Sequence, residues 1–245
     1  MDFFFKIYGD LPKQGPGSKE STLKALNSIP EHREIKKILD AGCGTGRHTI
    51  LLAQNTFAKI TALDFYDQQI KTLTNNIKKA GLLDRVEIVK GDMADLSFSN
   101  EKFDLIWSES SIYNIGFENG LRYWKDYIRD NGYLVVSEAI WLTDNPSKEI
   151  KNWWNEQYPE IQTAHQKIKI IKQCSYELIT HFVQPKSDWW EGYYDLLEKR
   201  AAEYEKLKLN PEEQEVISMA KTEIDMFKRY SDQYGYAFFV MRNNF

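Results

Sequence analysis

The decapeptide DAGCGTGRHT, residues 40–49, decides how the chain folds. It places Gly42, Gly44 and Gly46 directly after the apolar run of residues 35–41 and directly before a segment of helical composition. Glycine adopts positive φ without strain and lets a ligand approach the main chain closely. A loop that leads into a helix also offers free backbone N–H groups. The pattern therefore predicts a ligand-binding turn between a strand and a helix.

The alternation of strand and helix continues along the first half of the chain. Segments of helical length separate five short β-prone runs, which are residues 35–41, 59–64, 86–90, 103–108 and 133–140. This alternation indicates βαβ units and a largely parallel sheet, whose ligands lie beyond the carboxyl ends of the strands. The glycine loop lies at one such end. We predict an α/β fold with a Rossmann-like, doubly wound sheet.

The pattern changes after residue 140. Two helices broken near Pro159 are predicted over residues 147–173, a strand over 176–183, a charged helical block over 188–230, and a last strand in YGYAFFVMR. Because no repeat or Pro/Gly-rich linker is present, we interpret the helical block as a cap inserted between the last two strands. The prediction is seven mostly parallel strands with an antiparallel last strand. It assigns the whole chain to one domain: a helical and loop cap (1–34), a cofactor-binding core (35–145), helical cap elements around the sixth strand (146–235) and the last strand (236–245).

Composition limits the classes of partner. The 245 residues include 32 Lys and Arg against 36 Asp and Glu, a formal net charge of -4, and the basic residues are scattered. Nucleic acid is therefore not an expected partner. No stretch resembles a signal peptide or a membrane span, and Cys43 and Cys174 lack metal-ligand spacing. We expect a cytoplasmic protein without disulfide, metal or membrane contact, and the sequence leaves its oligomeric state open.

Two ligand classes bind to loops of this kind: dinucleotides and S-adenosylmethionine. The dinucleotide fingerprint needs a third glycine at its sixth position, where this chain has Arg47. Asp64, at the end of the second predicted strand, can bind both ribose hydroxyls of either cofactor, or it can simply cap the next helix. The departure at Arg47 favours S-adenosylmethionine.

The chain resembles the class I S-adenosylmethionine-dependent methyltransferases. The resemblance rests on LDAGCGTG with its acidic Asp40, Asp64 at the second strand end, GDM at 91–93 and FDLIWSE at 103–109. It covers residues 36–141 and is nearest to the small-molecule branch typified by ubiquinone-biosynthesis-type methyltransferases. Both ends are also similar to bacterial methyltransferases of unassigned substrate, through GPGSKESTLKAL, SESSIYNIGFENGL and YSDQYGYAFFVMR.

The resemblance implies an enzyme with S-adenosylmethionine as cofactor, and it assigns residues to each part of that molecule. Asp40, Gly42 and Gly44 are assigned to the methionine portion, and Asp64 to the ribose. Phe65, Asp92 and Met93 are assigned to the adenine. Glu109 and Ser110 would form the floor of the site, and Gly17 and Ser18 would cover the carboxylate of the cofactor. The Asp92 carboxylate is placed near the exocyclic amine of the adenine.

Methyl transfer from a sulfonium requires an aligned nucleophile and the exclusion of water, but no metal. A general base helps only if the nucleophile must lose a proton. The residues expected near the reacting atoms, each of which also has an ordinary structural interpretation, are His48, Tyr113, Asn114, Glu138 and Trp141. We select Tyr113 as the catalytic candidate that lines the acceptor pocket.

Aromatic residues are concentrated in the predicted cap. Trp153, Trp154, Trp189, Trp190, Tyr193 and Tyr194 can form an ordinary core or the lid of a pocket. A closed aromatic lid favours a small molecule as acceptor, methylated on O or N. His181 fits a plain strand position.

Rival functions remain open. The chain could be a catalytically silent S-adenosylmethionine-binding module. A NAD(P)-dependent short-chain reductase would need a Tyr-x-x-x-Lys pair, and the match at Tyr204 and Lys208 falls in a charged helical segment. The Pro-Pro-aromatic turn of base-modifying methyltransferases is replaced by SESSIYN, which weighs against nucleic-acid bases as acceptors.

Overall fold

The computed structural model describes residues 2–9, 11–98 and 102–244. The described residues form one sheet of eight strands in the order β3-β2-β1-β4-β5-β8-β7, with the short β6 paired to β5. The strands are β1 (Lys37–Ala41), β2 (Lys59–Asp64), β3 (Val86–Lys90), β4 (Phe103–Glu109), β5 (Ile128–Trp141), β6 (Gln162–Thr163), β7 (Tyr176–Val183) and β8 (Tyr234–Asn243).

Helices connect these strands and cover the sheet. They are α1 (Asp2–Phe4), α2 (Lys19–Asn27), α3 (Arg47–Asn55), α4 (Asp67–Lys79), α5 (Phe117–Lys125), α6 (Lys148–Gln157), α7 (Ala164–Gln173), α8 (Ser187–Trp189), α9 (Asp195–Tyr204) and α10 (Pro211–Tyr230), with π-helical turns at Phe5–Gly9 and Trp190–Tyr194 and 3-10 turns at His32–Glu34 and Ile112–Asn114. Among the described helices, none is long and apolar enough to cross a membrane.

The predicted sheet is confirmed. Strands β1 to β5 run parallel, and β8 lies antiparallel between β5 and β7. Two details differ from the prediction: β6 is an additional two-residue strand, and β5 begins at Ile128 rather than residue 133. The early part of β5 contains Asn131 at φ 62°, and the register with β4 shifts between Phe103 and Leu105. This irregular pairing places turn-forming residues inside a strand, so the sequence there resembles a loop.

Both faces of the sheet are buried, and this is why the central strands are almost wholly apolar. In β8, Phe238 and Val240 pack with the helices of one face, while Phe239 and Met241 pack on the other. Side chains alternate between faces along a strand. A continuous apolar run is therefore the expected sequence of a strand covered on both sides.

A third apolar cluster lies in the cap and combines the N-terminal segment with α6, α9 and α10. The guanidinium of Arg200 donates to the carbonyl oxygens of Lys6 and Ile7, at 3.1 Å each. Helix α10 begins with a capping box between Asn210 and Glu213, which satisfies its first N–H groups. The cap thus has its own packed interior next to the carboxyl end of the sheet. The assignment of the whole chain to one domain stays a prediction.

Candidate active site

The three glycines of the 42–46 loop all have positive φ, at 76°, 55° and 87°. A Cβ at Gly42 would lie 2.6 Å from the Ser111 side chain, and one at Gly46 would clash with Leu73 of α4. A Cβ at Gly44 would meet only the Gln14 Oε1 atom, at 3.3 Å. Two of the glycines are therefore required by packing within the protein. Gly44 alone has its α-carbon open to a ligand.

The loop does not present the free N–H groups expected from the sequence. The N–H groups of Gly42 and Cys43 donate to the Leu63 carbonyl, that of Gly44 to Asp64 Oδ2, and that of Gly46 to the Cys43 carbonyl. The expectation was wrong for these four residues because the loop folds back on the end of β2. A pyrophosphate would lose these donors, and this weighs further against a dinucleotide.

A cavity of about 80 Å³, which we call the loop cavity, lies against Gly44. The guanidinium of Arg47 lines it, and the Arg47 Nη1 atom is buried without a hydrogen-bond acceptor among the described residues. A buried donor without a partner is costly unless a ligand supplies the acceptor. The full lining is Lys13, Gln14, Gly15, Pro16, Gly42, Cys43, Gly44, Thr45, Arg47, His48, Glu109 and Ser110.

Two acidic residues support the loop from the strand ends. Asp64 accepts from the N–H groups of Gly44 at 2.8 Å and Tyr66 at 3.0 Å, and each of its oxygens keeps a further lone pair. Asp40 is fully buried, its Oδ2 accepts from the Thr49 hydroxyl at 2.6 Å, and its Oδ1 has no partner in the described structure. Burial raises the pKa of Asp40 to about 6. A positively charged ligand group would favour the ionised form of this carboxyl.

Glu109, at the end of β4, forms the floor of the loop cavity. Its carboxylate accepts from the Thr22 hydroxyl at 3.0 Å and lies 2.9 Å from His48 Nδ1. A Cβ at Gly17 would lie 2.7 Å from Glu109 Oε1, so the N-terminal segment crosses directly over this floor. His48 Nδ1 is thus within ion-pair distance of Glu109, but it makes no hydrogen bond with the described residues. Ser110, next in the chain, has φ 56° and donates its hydroxyl to the Pro16 carbonyl.

The N-terminal segment does fold over the cavity, but Lys13 to Pro16 form the lining. The Gly17 N–H donates to the Asp188 carbonyl, and the Gly17 carbonyl accepts from Lys13 Nζ at 2.6 Å. The Ser18 side chain accepts from the Ser21 N–H and caps α2. The polar groups of Gly17 and Ser18 are thus already engaged within the protein. Burial, with Arg47 adding to it, lowers the pKa of Lys13 to about 8.

The residues assigned to the adenine lie at the ends of β2 and β3. Phe65 exposes 58% of its surface, and Asp92 is exposed in a turn where its Oδ1 accepts from the Ala94 N–H at 2.8 Å. Met93 is half-buried, with its Cε near Gly42. An aromatic ligand placed at this edge would cover exposed apolar surface. The assignment itself stays a prediction.

A larger space lined by aromatic residues, the aromatic chamber, adjoins the loop cavity. It has two lobes of about 520 and 550 Å³ that share lining residues, and the second lobe shares Gln14, Gly15, Pro16 and Ser110 with the loop cavity. Tyr113 lines both lobes with 40% of its surface open. Its hydroxyl is surrounded by protein, and this burial raises the pKa of the hydroxyl. Tyr113 is therefore a protonated phenol at neutral pH.

The cap aromatics divide between lining and packing. Trp153 and Trp154 lie edge to face, with ring centroids 5.1 Å apart, and both line the two lobes. Trp189 stacks on Phe227 and lines the second lobe, while Lys228 Nζ lies 5.4 Å above the Trp190 ring. Tyr193 and Tyr194 also line the second lobe. The interpretation of the cap aromatics as a pocket lid thus fits the five residues that line the chamber, but it does not fit Trp190, which lines neither lobe.

Behind the chamber wall lies a buried polar cluster of Glu138, Tyr158 and Lys167. Burial raises the pKa of Glu138 to about 7, with the Lys167 charge opposing it, and burial lowers the pKa of Lys167. Lys167 Nζ donates to the Tyr158 hydroxyl at 3.3 Å, and the Tyr158 ring contacts the Tyr113 ring edge to face at 6.0 Å. The cluster connects β5 with α7 and ends at the catalytic candidate.

The remaining candidates have ordinary partners. Asn114 donates to the Ser111 carbonyl and lines the chamber, and Trp141 is half-buried against the cap cluster. His181 stacks on Phe239 at 6.0 Å. Tyr204 packs against Phe3 in the cap, and neither it nor Lys208 lines the loop cavity. The reductase alternative therefore has no tyrosine and lysine pair at this cavity.

Residues 38–132 match the model of a methyltransferase domain family. This range contains the glycine loop, Asp64 and the strand ends that surround the loop cavity. Residues 38–132 are therefore similar to a methyltransferase domain, in agreement with the resemblance of the sequence to the class I S-adenosylmethionine-dependent methyltransferases.

Known proteins are similar over part or all of the chain. Methyltransferase GfsG of Streptomyces halstedii is 29% identical over 105 residues, which are 42% of this chain and 38% of that protein. The tRNA1(Val) (adenine(37)-N6)-methyltransferase of Actinobacillus pleuropneumoniae is 30% identical over 135 residues, 54% of this chain and 52% of that protein. The chain thus matches about 38 to 52% of the length of these curated relatives.

The likeness extends further in three dimensions. A methyltransferase from Geobacter sulfurreducens, solved with S-adenosyl-L-homocysteine, superposes with a TM-score of 0.82 at 15% identity and covers 98% of this chain and 97% of that one. At this identity the likeness concerns the fold, and the cap is included in it.

Proposed function

We propose that this chain transfers a methyl group from S-adenosylmethionine to an O or N atom of a small molecule. The observation that carries the proposal is the shared wall between the two spaces. Residues 14–16 and Ser110 border both the loop cavity, which suits the carboxylate end of the cofactor, and the aromatic chamber, which suits an acceptor. This arrangement allows a methyl donor and an acceptor to be held side by side.

The residues that line the loop cavity, together with Asp64 behind the glycine loop, fit the cofactor chemically. The unpartnered Arg47 Nη1 atom suits a carboxylate, and the spare lone pairs on Asp64 suit two ribose hydroxyls. Gly44 leaves room for the ligand against the main chain. When bound, S-adenosylmethionine supplies a methyl group activated by a positively charged sulfur.

The protein then has to orient the acceptor and exclude water. The two lobes of the chamber have volumes of about 520 and 550 Å³, and each volume is within the range typical of small-molecule sites. The protonated Tyr113 hydroxyl can donate to the acceptor and fix its orientation. Glu138, whose pKa is about 7, lies beyond Tyr158 and can hold a proton near neutral pH. The reaction needs no metal ligand from these residues.

A small acceptor is favoured over a nucleic acid by the lining of the chamber. Its charged members, among the described residues, are Glu156, Glu215 and Glu223, and no lysine or arginine lines either lobe. A phosphate backbone would be repelled by such a surface. The similarity to a tRNA methyltransferase makes tRNA the necessary comparison in any test.

Asp64→Ala should weaken binding of S-adenosylhomocysteine by about 1.5 to 3 kcal/mol, because a charge-assisted pair to two hydroxyls is lost. Calorimetry measures this affinity. Asp64→Ala would weaken binding for a second reason as well, because it leaves the Gly44 N–H without its acceptor. Asp64→Asn separates the two effects, since asparagine keeps one oxygen for the Gly44 N–H but loses the charge that binds the hydroxyls. Asp67→Ala, an exposed carboxylate near the start of α4 paired with Lys90, is the matched control and should bind normally. Unchanged affinity in Asp64→Ala would contradict the assignment.

Tyr113→Phe should lower kcat by about tenfold or more, because the orienting hydrogen bond is lost, while cofactor affinity stays constant. Single-turnover rates with the labelled cofactor measure this once an acceptor is known. Transfer at the wild-type rate would leave the acceptor class intact and remove the role given to this hydroxyl.

The decisive experiment incubates the protein with methyl-labelled S-adenosylmethionine and four separate pools: small metabolites, bulk tRNA, DNA and cell protein. We expect label in the metabolite pool only. Label confined to a macromolecular pool would contradict the small-molecule proposal. Cofactor binding without label in any pool would support the alternative of a catalytically silent module.

A further inference from the structure

Three tyrosine hydroxyls donate to the carboxylate of Glu223, a residue of α10 in the wall of the aromatic chamber. Its Oε1 accepts from the hydroxyls of Tyr193 at 3.1 Å and Tyr194 at 2.9 Å, and its Oε2 accepts from Tyr8 at 3.3 Å. These tyrosines come from the N-terminal segment and from the turn before α9, and Glu223 lines both lobes. A carboxylate is thus fixed in place at the wall of a mostly aromatic space.

This charge has no positive partner within the described residues. No ion pair involves Glu223, and the lobes are lined by no lysine, arginine or histidine. Burial raises the pKa of this carboxyl, which means that the ionised form is disfavoured in the free protein. A bound cation would remove that penalty.

The surrounding rings favour the same kind of ligand. The side chains of Tyr8, Trp153, Trp154, Trp189 and Tyr236 line the space, and aromatic rings attract cations, more strongly when water is excluded. In addition, the Trp154 indole N–H lies buried in the chamber wall with no hydrogen-bond acceptor among the described residues, although Trp154 is only 7% exposed. An oxygen of the ligand can accept from this donor, and an uncharged oxygen avoids repulsion by the carboxylate of Glu223 in the same chamber.

From the chamber's geometry and charge we propose that the acceptor is a small amine that carries an ammonium group and an uncharged oxygen. The ammonium group is held by Glu223 and the aromatic rings, and the oxygen accepts from Trp154. The inference rests on the proposed function in taking the chamber as the acceptor site. The cation site itself requires no methyl transfer, so it is tested by binding alone.

The test compares ligand pairs that differ mainly in charge, choline with 3,3-dimethylbutan-1-ol and benzylamine with benzyl alcohol. Tryptophan fluorescence reports binding at saturating S-adenosylhomocysteine, because three tryptophans line the chamber. We expect at least one cation to bind about tenfold or more tightly than its neutral partner. No preference for the cation in either pair would overturn the proposal.

Glu223→Gln distinguishes cation binding from a structural role. Glutamine can still accept from Tyr193 and Tyr194 through its oxygen, so the cap should stay folded and its melting temperature should not fall. The preference for the cation should drop to about threefold or less. Glu215→Gln, an exposed residue on the same helix at the chamber edge, removes the same charge and should keep the preference. An unchanged preference in Glu223→Gln would show that the carboxylate serves only the cap.

The outcomes separate this inference from the proposed function. Cation preference without label transfer would keep the cation site and reject the enzyme activity, and with it the description of the bound amine as a methyl acceptor. Label entering neutral metabolites, with no cation preference in binding, would reject the inference and keep the activity.

Discussion

Gly44→Val is expected to abolish binding of S-adenosylhomocysteine while the protein stays folded. The new side chain would occupy the loop cavity, and its Cβ atom would approach only the end of the flexible Gln14 side chain. The substitution should therefore clash with a ligand and not with the protein. We expect the affinity to fall at least about 100-fold, which corresponds to about 2.7 kcal/mol. Calorimetry measures the affinity, and circular dichroism measures the fold.

Backbone strain needs its own control, because Gly44 has φ 55° and any side chain there is strained. Gly81 has φ 68°, and a Cβ at this position would have no atom within 4 Å, so Gly81→Val introduces backbone strain without a steric clash. Both variants should lose about 1 to 3 kcal/mol of stability. Only Gly44→Val should lose the ligand. Equal affinity in the two variants would show that the ligand does not lie against Gly44.

Lys167→Met is expected to destabilise the protein by about 1 to 2 kcal/mol near pH 8, because it removes the charge opposite buried Glu138 and protonation of that carboxyl then limits the loss. Lys167 and Glu138 are 1% and 0% exposed. Urea unfolding measures the loss. The double variant Glu138→Gln/Lys167→Met should regain most of it, and Lys169→Met, exposed on the same helix, should change stability by less than about 0.5 kcal/mol.

The loss should depend on pH in a defined direction. The folded-state pKa of Glu138 is raised from 4.5 to about 7, so the stability this carboxyl contributes is complete below pH 4.5 and is lost as the pH rises through 7. Removing Lys167 raises that pKa further. The destabilisation should therefore be small at pH 5 and clearly larger at pH 8. A loss that is equal at both values would contradict the role of Glu138.

The sheet could be predicted because each strand and its ligand loop are encoded locally. Apolar runs of strand length and the glycines between Asp40 and Arg47 identify the fold without any tertiary information. The individual glycines could not be separated in this way, since all three have positive φ. Only the contacts with Ser111 and Leu73 show which of them serve packing. Arg47 was used to argue against a dinucleotide, and its own unpartnered guanidinium was missed.

The polar groups of the cap were missed for a different reason. Glu223 belongs to a helix rich in charged residues, where any one carboxylate resembles a solvated position. Lys167 did carry a signal, since Ala164, Lys167, Ile171 and Cys174 follow the 3-4-3 spacing of one helical stripe. A lysine on an apolar stripe indicates burial. Its partner Glu138 lies on a distant strand, and sequence spacing contains no information about that pairing.

The position of β8 in the sheet also determines the order in which the last strands can join the sheet during folding. Strand β7 is hydrogen-bonded to β8, and β8 pairs with β5 from Tyr133 opposite Arg242 to Trp141 opposite Tyr234. Contacts of such long separation require closure of a large loop and form slowly. The β1 to β5 half can assemble from neighbouring βαβ units as the chain leaves the ribosome. Strand β7 cannot join the sheet until β8, which follows it in the chain, has been synthesised, so the order of synthesis and the order of assembly are reversed for these two strands.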